Sequence, residues 1–158
     1  MSLSQTLKTY LDSNGIPYQV IHHDPTPSAN RSAEAAHIPG DKLVKAVVLE
    51  DNGQYILAAL PATRRLKLGR LHHALGEHVG LATEAEVEVE RLFGDCAQGA
   101  VPAMGSAYGL ETLVDDSLNE QDEVYIEGGD HESLVCLSGR AFMGLLGPAR
   151  HGNFSAHI

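Results

Sequence analysis

"KLVKAVVLEDNGQYILAALP", residues 42–61, holds the clearest structural pattern of the chain. Two apolar runs flank the sequence D-N-G at 51–53, which favours a hairpin turn. The segment therefore predicts two paired strands with apolar side chains on both faces. Lys45 interrupts the first strand, on the face that it shares with Leu43 and Val47. Because burial of an unpaired ammonium costs free energy, this lysine is the first candidate for a functional residue.

Shorter elements surround this hairpin along the chain. Apolar residues at helical spacing predict helices over 4–13, 65–76, 84–93 and 139–146. Apolar runs bounded by turn residues predict strands over 18–23, 110–118, 123–129 and 133–138. Strands interleaved with short helices predict a mixed α/β or α+β fold. We expect residues 1–150 to form one domain and residues 151–158 to be a loose tail.

Composition restricts the class of protein. A net charge of −10 argues against non-specific binding of nucleic acid, and there is no helix-turn-helix pattern for DNA. No apolar run is long enough to span a membrane, no signal peptide is apparent, and two lone cysteines do not make a disulfide framework. These features predict a cytoplasmic protein. One basic cluster stands out, either as a solvated helix start or as a local phosphate contact: Arg64, Arg65, Lys67 and Arg70.

The usual motifs of catalysis and cofactor binding are missing. The chain has neither G-x-G-x-x-G nor G-x-x-x-x-G-K, and "GSAYG" at 105–109 does not match a nucleophile elbow. Cys96 is a lone cysteine, which is more often inert packing than a nucleophile. The nine histidines have no metal-ligand spacing. The sequence therefore predicts no metal and no cofactor.

Two glycine-containing segments are further candidates. "GAVPAMG" at 99–105 and "GGDHES" at 128–133 are turn-like. A glycine-rich loop broken by proline exposes backbone N–H groups that can hold a carbonyl oxygen, although a plain surface turn explains the first segment equally well. Together with Lys45, whose stem can pack inside while its charge lies in a cleft, the first segment is consistent with a binding site.

The order of these motifs resembles a known family over residues 4–147. A lysine-containing "LVKAVVL" strand and hairpin precede "LATEAEV", "GAVPAMG", "LVDDSL", "GGDHESLVCLS" and "GRAFMGLL". This order is similar to that of the YbaK/EbsC-type aminoacyl-tRNA deacylases, which are related to the editing domain inserted in bacterial prolyl-tRNA synthetases. The resemblance implies a strongly curved mixed β-sheet, or partial barrel, wrapped by short helices.

The resemblance also implies an activity and a site. Members hydrolyse the ester that joins a wrong amino acid to tRNA, with a bound water, backbone amides and the ribose hydroxyl in place of a covalent nucleophile. It implies catalytic roles for Lys45 and Gly99. The implied substrate-binding residues are Pro102, Ala103, Gly105, Gly129 and His131, although His131 could also be an exposed turn residue. The amino acid stays open, because Ala46 replaces an asparagine found in members specific for alanyl-tRNA.

The implied partner is the acceptor end of mischarged tRNA, with an aminoacyl-tRNA synthetase as a further candidate. An acidic protein that grips only this end needs few phosphate contacts, which the basic cluster could supply. Two alternatives stay open. The protein could be a non-catalytic module that binds an amino acid or aminoacyl-tRNA within a regulatory assembly, and Lys45 could form a structural ion pair with a buried carboxylate.

Overall fold

The computed structural model describes residues 3–26, 29–76, 78–82, 92–97 and 100–158. These ranges contain four α-helices: α1 Gln5–Ser13, α2 Ala29–Ala35, α3 Leu68–Leu75 and α4 Gly139–Leu146. The strands are β1 Gln19–His22, β2 Leu43–Asp51, β3 Gln54–Pro61, β4 Arg64–Leu66, β5 Val79–Leu81, β6 Glu111–Asp115, β7 Glu123–Glu127, β8 Ser133–Ser138, β9 Arg150–Gly152 and β10 Ser155–His157. Single 3₁₀ turns span Gly40–Lys42, Gly105–Tyr108 and Asp116–Leu118. The helix predicted over 84–93 lies almost entirely outside the described residues.

Eight strands form one mixed sheet. Seven lie in the order β1-β8-β7-β2-β3-β6-β9, and β5 pairs with the far end of β2. The pairs β7–β2, β3–β6 and β6–β9 are parallel, whereas the others are antiparallel. Because β1 and β9 are separate edges, the sheet does not close into a barrel. The predicted mixed α/β fold is confirmed, as an open sheet.

The hairpin at residues 42–61 forms as predicted. Strands β2 and β3 pair from Val44 opposite Pro61 to Asp51 opposite Gln54. Asn52 and Gly53 both have positive φ, 51° and 85°, which suits the tight turn between twisted strands. The hairpin is the centre of the sheet and fixes which side chains lie on each face.

One face of the sheet carries a continuous apolar core. Leu7 and Leu11 of α1 pack with Phe142 of α4 against sheet residues that include Val44 and Ile126. Both helices have serine caps, since the hydroxyl of Ser4 accepts from Leu7 N–H and that of Ser138 accepts from Ala141 N–H. This face therefore supplies much of the hydrophobic stabilisation.

The opposite face carries two separate apolar clusters. One joins Leu43 and Ala62 to Ala33 of α2, and the other joins Leu49 to Leu71 of α3. Lys45 lies between them on the same face, opposite Leu60 of β3. The core is therefore divided at the one strand position where the sequence has a lysine.

Two predictions from the sequence are wrong. Residues 64–66 form a strand, and the helix predicted from 65 begins only at Leu68. The segment after Arg150 is not loose, since β9 extends the main sheet, β10 pairs with β4, and Phe154 is only 3 % exposed. Both segments gain their structure from partners far away in sequence, which a local pattern does not reveal.

Candidate active site

A break in strand pairing opens beside Lys45. On one side β2 pairs with β3 along almost its whole length. On the other side β7 pairs only with Leu43 and Val44, and β5 pairs only from Leu49 onwards. Residues 45–47 therefore have no strand partner on that edge among the described residues. We call this edge the β2 gap.

Lys45 is a half-buried cation at the β2 gap, and it has no partner within the described ranges of the chain. Burial lowers the pKa of its ammonium below the usual range. Neither a hydrogen bond nor an ion pair links its Nζ to any residue that the structure describes. The described part of the chain thus gives no support to a structural ion pair. An unpaired ammonium of this kind is suited to an oxygen of a ligand.

The turn after β7 contains Gly129 and His131. Asp130 closes the turn, because its Oδ1 accepts from the N–H groups of Glu132 and Ser133 at 3.0 and 2.7 Å. His131 is partly exposed with a positive φ of 61°. Gly129 has φ +104°, and a Cβ there would lie 3.2 Å from the Sγ of Cys96. The structure thus gives Gly129 a backbone and packing role.

The sequence analysis did not single out Glu127, the last residue of β7. This side chain is 3 % exposed, and neither carboxylate oxygen has a hydrogen-bond partner among the described residues. Burial raises the pKa of its carboxyl group, with the Ser32 hydroxyl and His23 acting in the opposite direction. Lys45 was singled out because it is a charged residue within an apolar strand, and the same criterion applies to Glu127.

The predicted loop at 99–105 is described from Ala100 onwards, so Gly99 lies outside the described residues. Pro102 and Ala103 are buried, and the Ala103 side chain packs in the core below the sheet. The N–H of Gly105 donates to Thr112 Oγ1 at 2.9 Å, which leaves it unavailable to a substrate. The backbone N–H groups of Val101 and Ala103 make no hydrogen bond to another described backbone carbonyl. These two groups are among the donors that the described part of the loop could offer to a ligand.

Cys96 belongs to a hydrogen-bonded network. Its Sγ lies 3.2 Å from the Tyr108 hydroxyl and 3.5 Å from Asp95 Oδ1. Burial raises the pKa of the thiol to about 11, so the thiolate is scarce at neutral pH. Ser106 of the "GSAYG" segment donates to the Leu145 carbonyl at 2.8 Å. Both side chains therefore have structural partners, and neither is an activated nucleophile.

The basic cluster divides into two pairs. Arg64 donates to the Ser155 Oγ and carbonyl at 2.7 and 3.1 Å, and Arg70 donates to the same carbonyl at 2.7 Å. Arg64 and Arg70 therefore hold β10 in place. The side chains of Arg65 and Lys67 make no ion pair or hydrogen bond with the described residues, and Arg65 is exposed. This second pair is available to a phosphate.

A comparison with protein families decides the class of this chain. The family model described as the aminoacyl-tRNA editing domain matches residues 23–145, which include the hairpin, Lys45 and the turn after β7. The chain belongs to the aminoacyl-tRNA editing domain family. Membership confirms the resemblance seen in the sequence and supports tRNA deacylation in general. An editing domain of this family implies aminoacyl-tRNA as the bound substrate.

Solved structures share the fold of this editing domain. A proposed trans-editing enzyme for prolyl tRNA synthetase has 26 % identity and a TM-score of 0.82, over 98 % of this chain and 99 % of its own. Hypothetical protein APE2540 has 24 % identity and a TM-score of 0.81, over 96 % and 100 %. A proposed signal transduction protein from Marinobacter aquaeolei VT8 has 23 % identity and a TM-score of 0.75, over 98 % of this chain and 31 % of its own. The last two show the fold alone.

Three features are absent from the comparison with curated proteins or from the described residues. The comparison with curated proteins found none. Within the described ranges, no three or more His, Cys, Asp or Glu side chains are grouped to hold a metal ion. None of the described helices is long and apolar enough to span a membrane.

Proposed function

We propose that this editing domain is a trans-acting deacylase, which hydrolyses the ester between a wrong amino acid and the terminal adenosine of tRNA. The observation that carries the proposal is Lys45, a half-buried ammonium without a described partner at the β2 gap. Its charge can orient the acceptor end or polarise the ester carbonyl as negative charge develops on the oxygen. A selective pocket and positioning then supply the rest of the rate enhancement.

The proposed reaction uses water as the nucleophile. The water oxygen bonds to the carbonyl carbon, the bond from that carbon to the ribose oxygen breaks, and the ribose oxygen takes up a proton. Engagement of Cys96 and Ser106 by other groups supports this choice over a covalent intermediate. We assign the carbonyl oxygen to Lys45 and to N–H groups of the loop, Gly99 and Val101 among them.

In this proposal, few side chains contact the phosphates of the tRNA. Arg65 and Lys67 are the two cations of the basic cluster that have no described partner, so we assign them to phosphates of the acceptor end. His131, on the turn after β7, lines the pocket for the amino acid. A deacylase of this kind would act in the cytoplasm, and an aminoacyl-tRNA synthetase is a partner to be tested by addition to the assay.

A panel of mischarged tRNAs tests the proposal. Alanyl, seryl, cysteinyl and prolyl esters are incubated with the purified protein, and each rate is divided by the uncatalysed rate in the same buffer. We expect at least one ester to be hydrolysed with multiple turnovers. Saturable binding of an ester without hydrolysis would contradict the enzyme and support the non-catalytic binding module.

A further inference from the structure

Ser4, the residue before α1, is buried where three segments of the chain meet. Its side chain is almost completely enclosed, at 1 % exposed. Its N–H donates to the carbonyl of Gly128 at 2.8 Å. Its hydroxyl lies 2.9 Å from Asp95 Oδ2 and 2.7 Å from the Tyr108 hydroxyl. One serine therefore contacts three segments that are distant from it in sequence, and two of these segments adjoin candidate parts of the site.

Two of these contacts hold the two ends of the loop at 99–105. Asp95 precedes the loop, and Tyr108 is the last residue of the 3₁₀ turn that follows it. The ring of Tyr108 also packs edge-on against Phe93, with the ring centroids 4.9 Å apart. Because Ser4 is bonded on both sides of the loop, its contacts restrict movement of the loop ends relative to α1.

The third contact holds the turn after β7, which carries His131. Ser4 is bonded to Gly128, the first residue of that turn, and the Ala97 N–H donates to the Gly129 carbonyl at 2.6 Å. The packing is close here, since a Cβ at Gly129 would lie 3.1 Å from the Ser4 Cβ. The chain before the loop and the start of the turn are therefore joined beside Ser4.

The hydrogen atoms of this network can be arranged without conflict. Ser4 Oγ accepts from the Leu7 N–H at 3.2 Å, so its single hydroxyl hydrogen can go to the Asp95 carboxylate. The Tyr108 hydroxyl then donates to Ser4 Oγ, and the Cys96 thiol, 3.2 Å away, donates to the Tyr108 oxygen. A chain of hydrogen bonds that ends on a carboxylate is stronger than separate bonds between neutral groups. The network therefore favours one fixed arrangement of the segments that it joins.

We propose that Ser4 is a positioning residue, whose three contacts set the loop at 99–105 and the turn bearing His131 in the relative arrangement needed for the reaction. The inference rests on the proposed function, which assigns the ester carbonyl to N–H groups of the loop and the amino acid to the turn. Ser4 acts through these two segments and not on the substrate. Misplacement of a catalytic group by about 1 Å can lower a rate by about 100-fold, so a contact outside the site can control turnover.

Two variants and a matched control test this role. Ser4→Ala removes the hydroxyl, whereas Tyr108→Phe removes one partner of that hydroxyl and leaves the cap of α1 in place. Ser138→Ala is the control, because Ser138 caps α4 as Ser4 caps α1 but has no hydrogen bond to the loop or the turn among the described residues. The best ester of the four-ester panel is the substrate. The values of kcat and KM are measured well below each melting temperature, and kcat is expressed per folded molecule.

The expected result is a loss in kcat that the control does not share. Ser4→Ala should lower kcat by about 10-fold or more and Tyr108→Phe by a smaller factor, with little change in KM, because the misplaced groups act mainly in the transition state. Ser138→Ala should melt at a lower temperature and keep the wild-type kcat. If Ser4→Ala does not fold, the result for Tyr108→Phe decides.

Other results would overturn the assignment. A wild-type kcat in the folded Ser4 and Tyr108 variants, whatever their melting temperatures, would leave Ser4 with a stabilising role alone. An equal loss in Ser138→Ala, or a change in KM alone, would also reject the positioning role.

If the wild type hydrolyses no ester, the deacylase proposal fails by itself, and nuclear magnetic resonance of ¹⁵N-labelled protein decides the positioning role. The amide signals of Val101 and His131 should both shift in Ser4→Ala and in Tyr108→Phe, whereas Ser138→Ala should move neither. Unchanged signals, a shift of only one of the two, or equal shifts in the control would show that Ser4 does not position the two segments.

Discussion

Asp95 and Glu127 are two partly or fully buried carboxylates with opposite surroundings. Asp95 Oδ2 accepts from the Thr6 N–H at 2.8 Å and the Ser4 hydroxyl at 2.9 Å, at the start of α1. Burial alone would raise the pKa of Asp95, but these hydrogen bonds outweigh it and hold the pKa below its usual value. Neither oxygen of Glu127 has a hydrogen bond of normal geometry from a described residue, and burial raises its pKa against the opposing effect of the Ser32 hydroxyl. The first carboxylate joins α1 to a distant segment, whereas the second makes no such bond within the described residues.

Other polar side chains of this protein also differ in whether they have a hydrogen-bond partner among the described residues. Arg64 is bound to Ser155, whereas Arg65 has no described partner. Cys96 is bound to Tyr108 and Asp95, whereas Lys45 has no described partner. Arg64 and Cys96 join segments that are distant in sequence, whereas Lys45 lies at the β2 gap and Arg65 lies on the surface. Hydrogen-bond satisfaction therefore separates structural from functional candidates better than residue type does.

Replacing each of the two carboxylates by its amide should change the free energy of unfolding in opposite directions, and this is the largest stability difference that we expect. Asp95→Asn should lower the free energy of unfolding by about 2 kcal/mol, because it weakens charge-assisted hydrogen bonds to α1. Glu127→Gln should raise it by about 1 kcal/mol, because it removes a buried charge whose oxygens have no hydrogen bond of normal geometry from a described residue. Urea unfolding at pH 7.5 or so measures both, and effects of the same sign would contradict the comparison.

The effects of Asp95→Asn and Glu127→Gln on the free energy of unfolding should also depend on pH in different ways. A carboxyl group with a lowered pKa contributes stability above its unfolded pKa of about 4, and that contribution is lost as the pH falls through the folded pKa. The penalty of Asp95→Asn should therefore shrink only in acid. For Glu127 the pKa is raised, so the cost of its charge is absent in acid and grows as the pH rises. The advantage of Glu127→Gln should grow as the pH rises above about 4.5. An advantage that does not change with pH would contradict this titration.

The salt dependence of tRNA binding distinguishes the partnered and unpartnered residues of the basic cluster. Replacing Arg65 and Lys67 with Ala should flatten the slope of log K for tRNA against log salt by about 1.4, or about 0.7 per lost phosphate contact. Melting temperature should stay unchanged. Arg64→Ala should instead destabilise the protein by about 1 kcal/mol, because Ser155 loses the two hydrogen bonds from Arg64 and keeps only the one from Arg70. An unchanged salt slope would make Arg65 and Lys67 ordinary solvated side chains.

The smallest effect on the reaction is expected at Cys96. Because its thiol has a pKa of about 11 and structural partners, Cys96→Ser should hydrolyse the best ester within about 2-fold of the wild-type rate. Rates per folded molecule, with folding checked by circular dichroism, are the measurement. Loss of turnover in a folded Cys96→Ser protein would require a thiol nucleophile.

Local sequence patterns predicted the parts of the fold that are locally determined. The D-N-G turn at 51–53 gave the central hairpin, and Ser138 gave the start of α4. The strands β4 and β10 were missed because each has three residues and needs the other, about 90 positions away, as its partner. Pairing at such separation leaves no periodic signal.

The candidate site was predictable only in part. Lys45 was found because a charge within an apolar strand is unfavourable unless it has a role. The same reasoning applies to Glu127 at the end of β7, but the sequence does not show that this carboxylate is buried with both oxygens lacking a geometric hydrogen-bond partner among the described residues. Gly105 and Ala103 were predicted to bind substrate, but the sequence could not show that the Gly105 N–H is bonded to Thr112 or that Ala103 packs in the core.

Deacylation and melting of Lys45 variants test the central claim, that the unpartnered charge at the β2 gap acts on the substrate. Lys45→Ala should lose about two decades in kcat/KM, or about 3 kcal/mol of transition-state stabilisation. It should melt at or above the wild-type temperature, because a half-buried cation without a described partner is removed. Lys45→Arg should not restore the rate, since a planar guanidinium does not replace a compact ammonium. Lys42→Ala, three residues earlier, should behave as wild type. A Lys45→Ala protein that melts much lower yet hydrolyses normally per folded molecule would contradict the account.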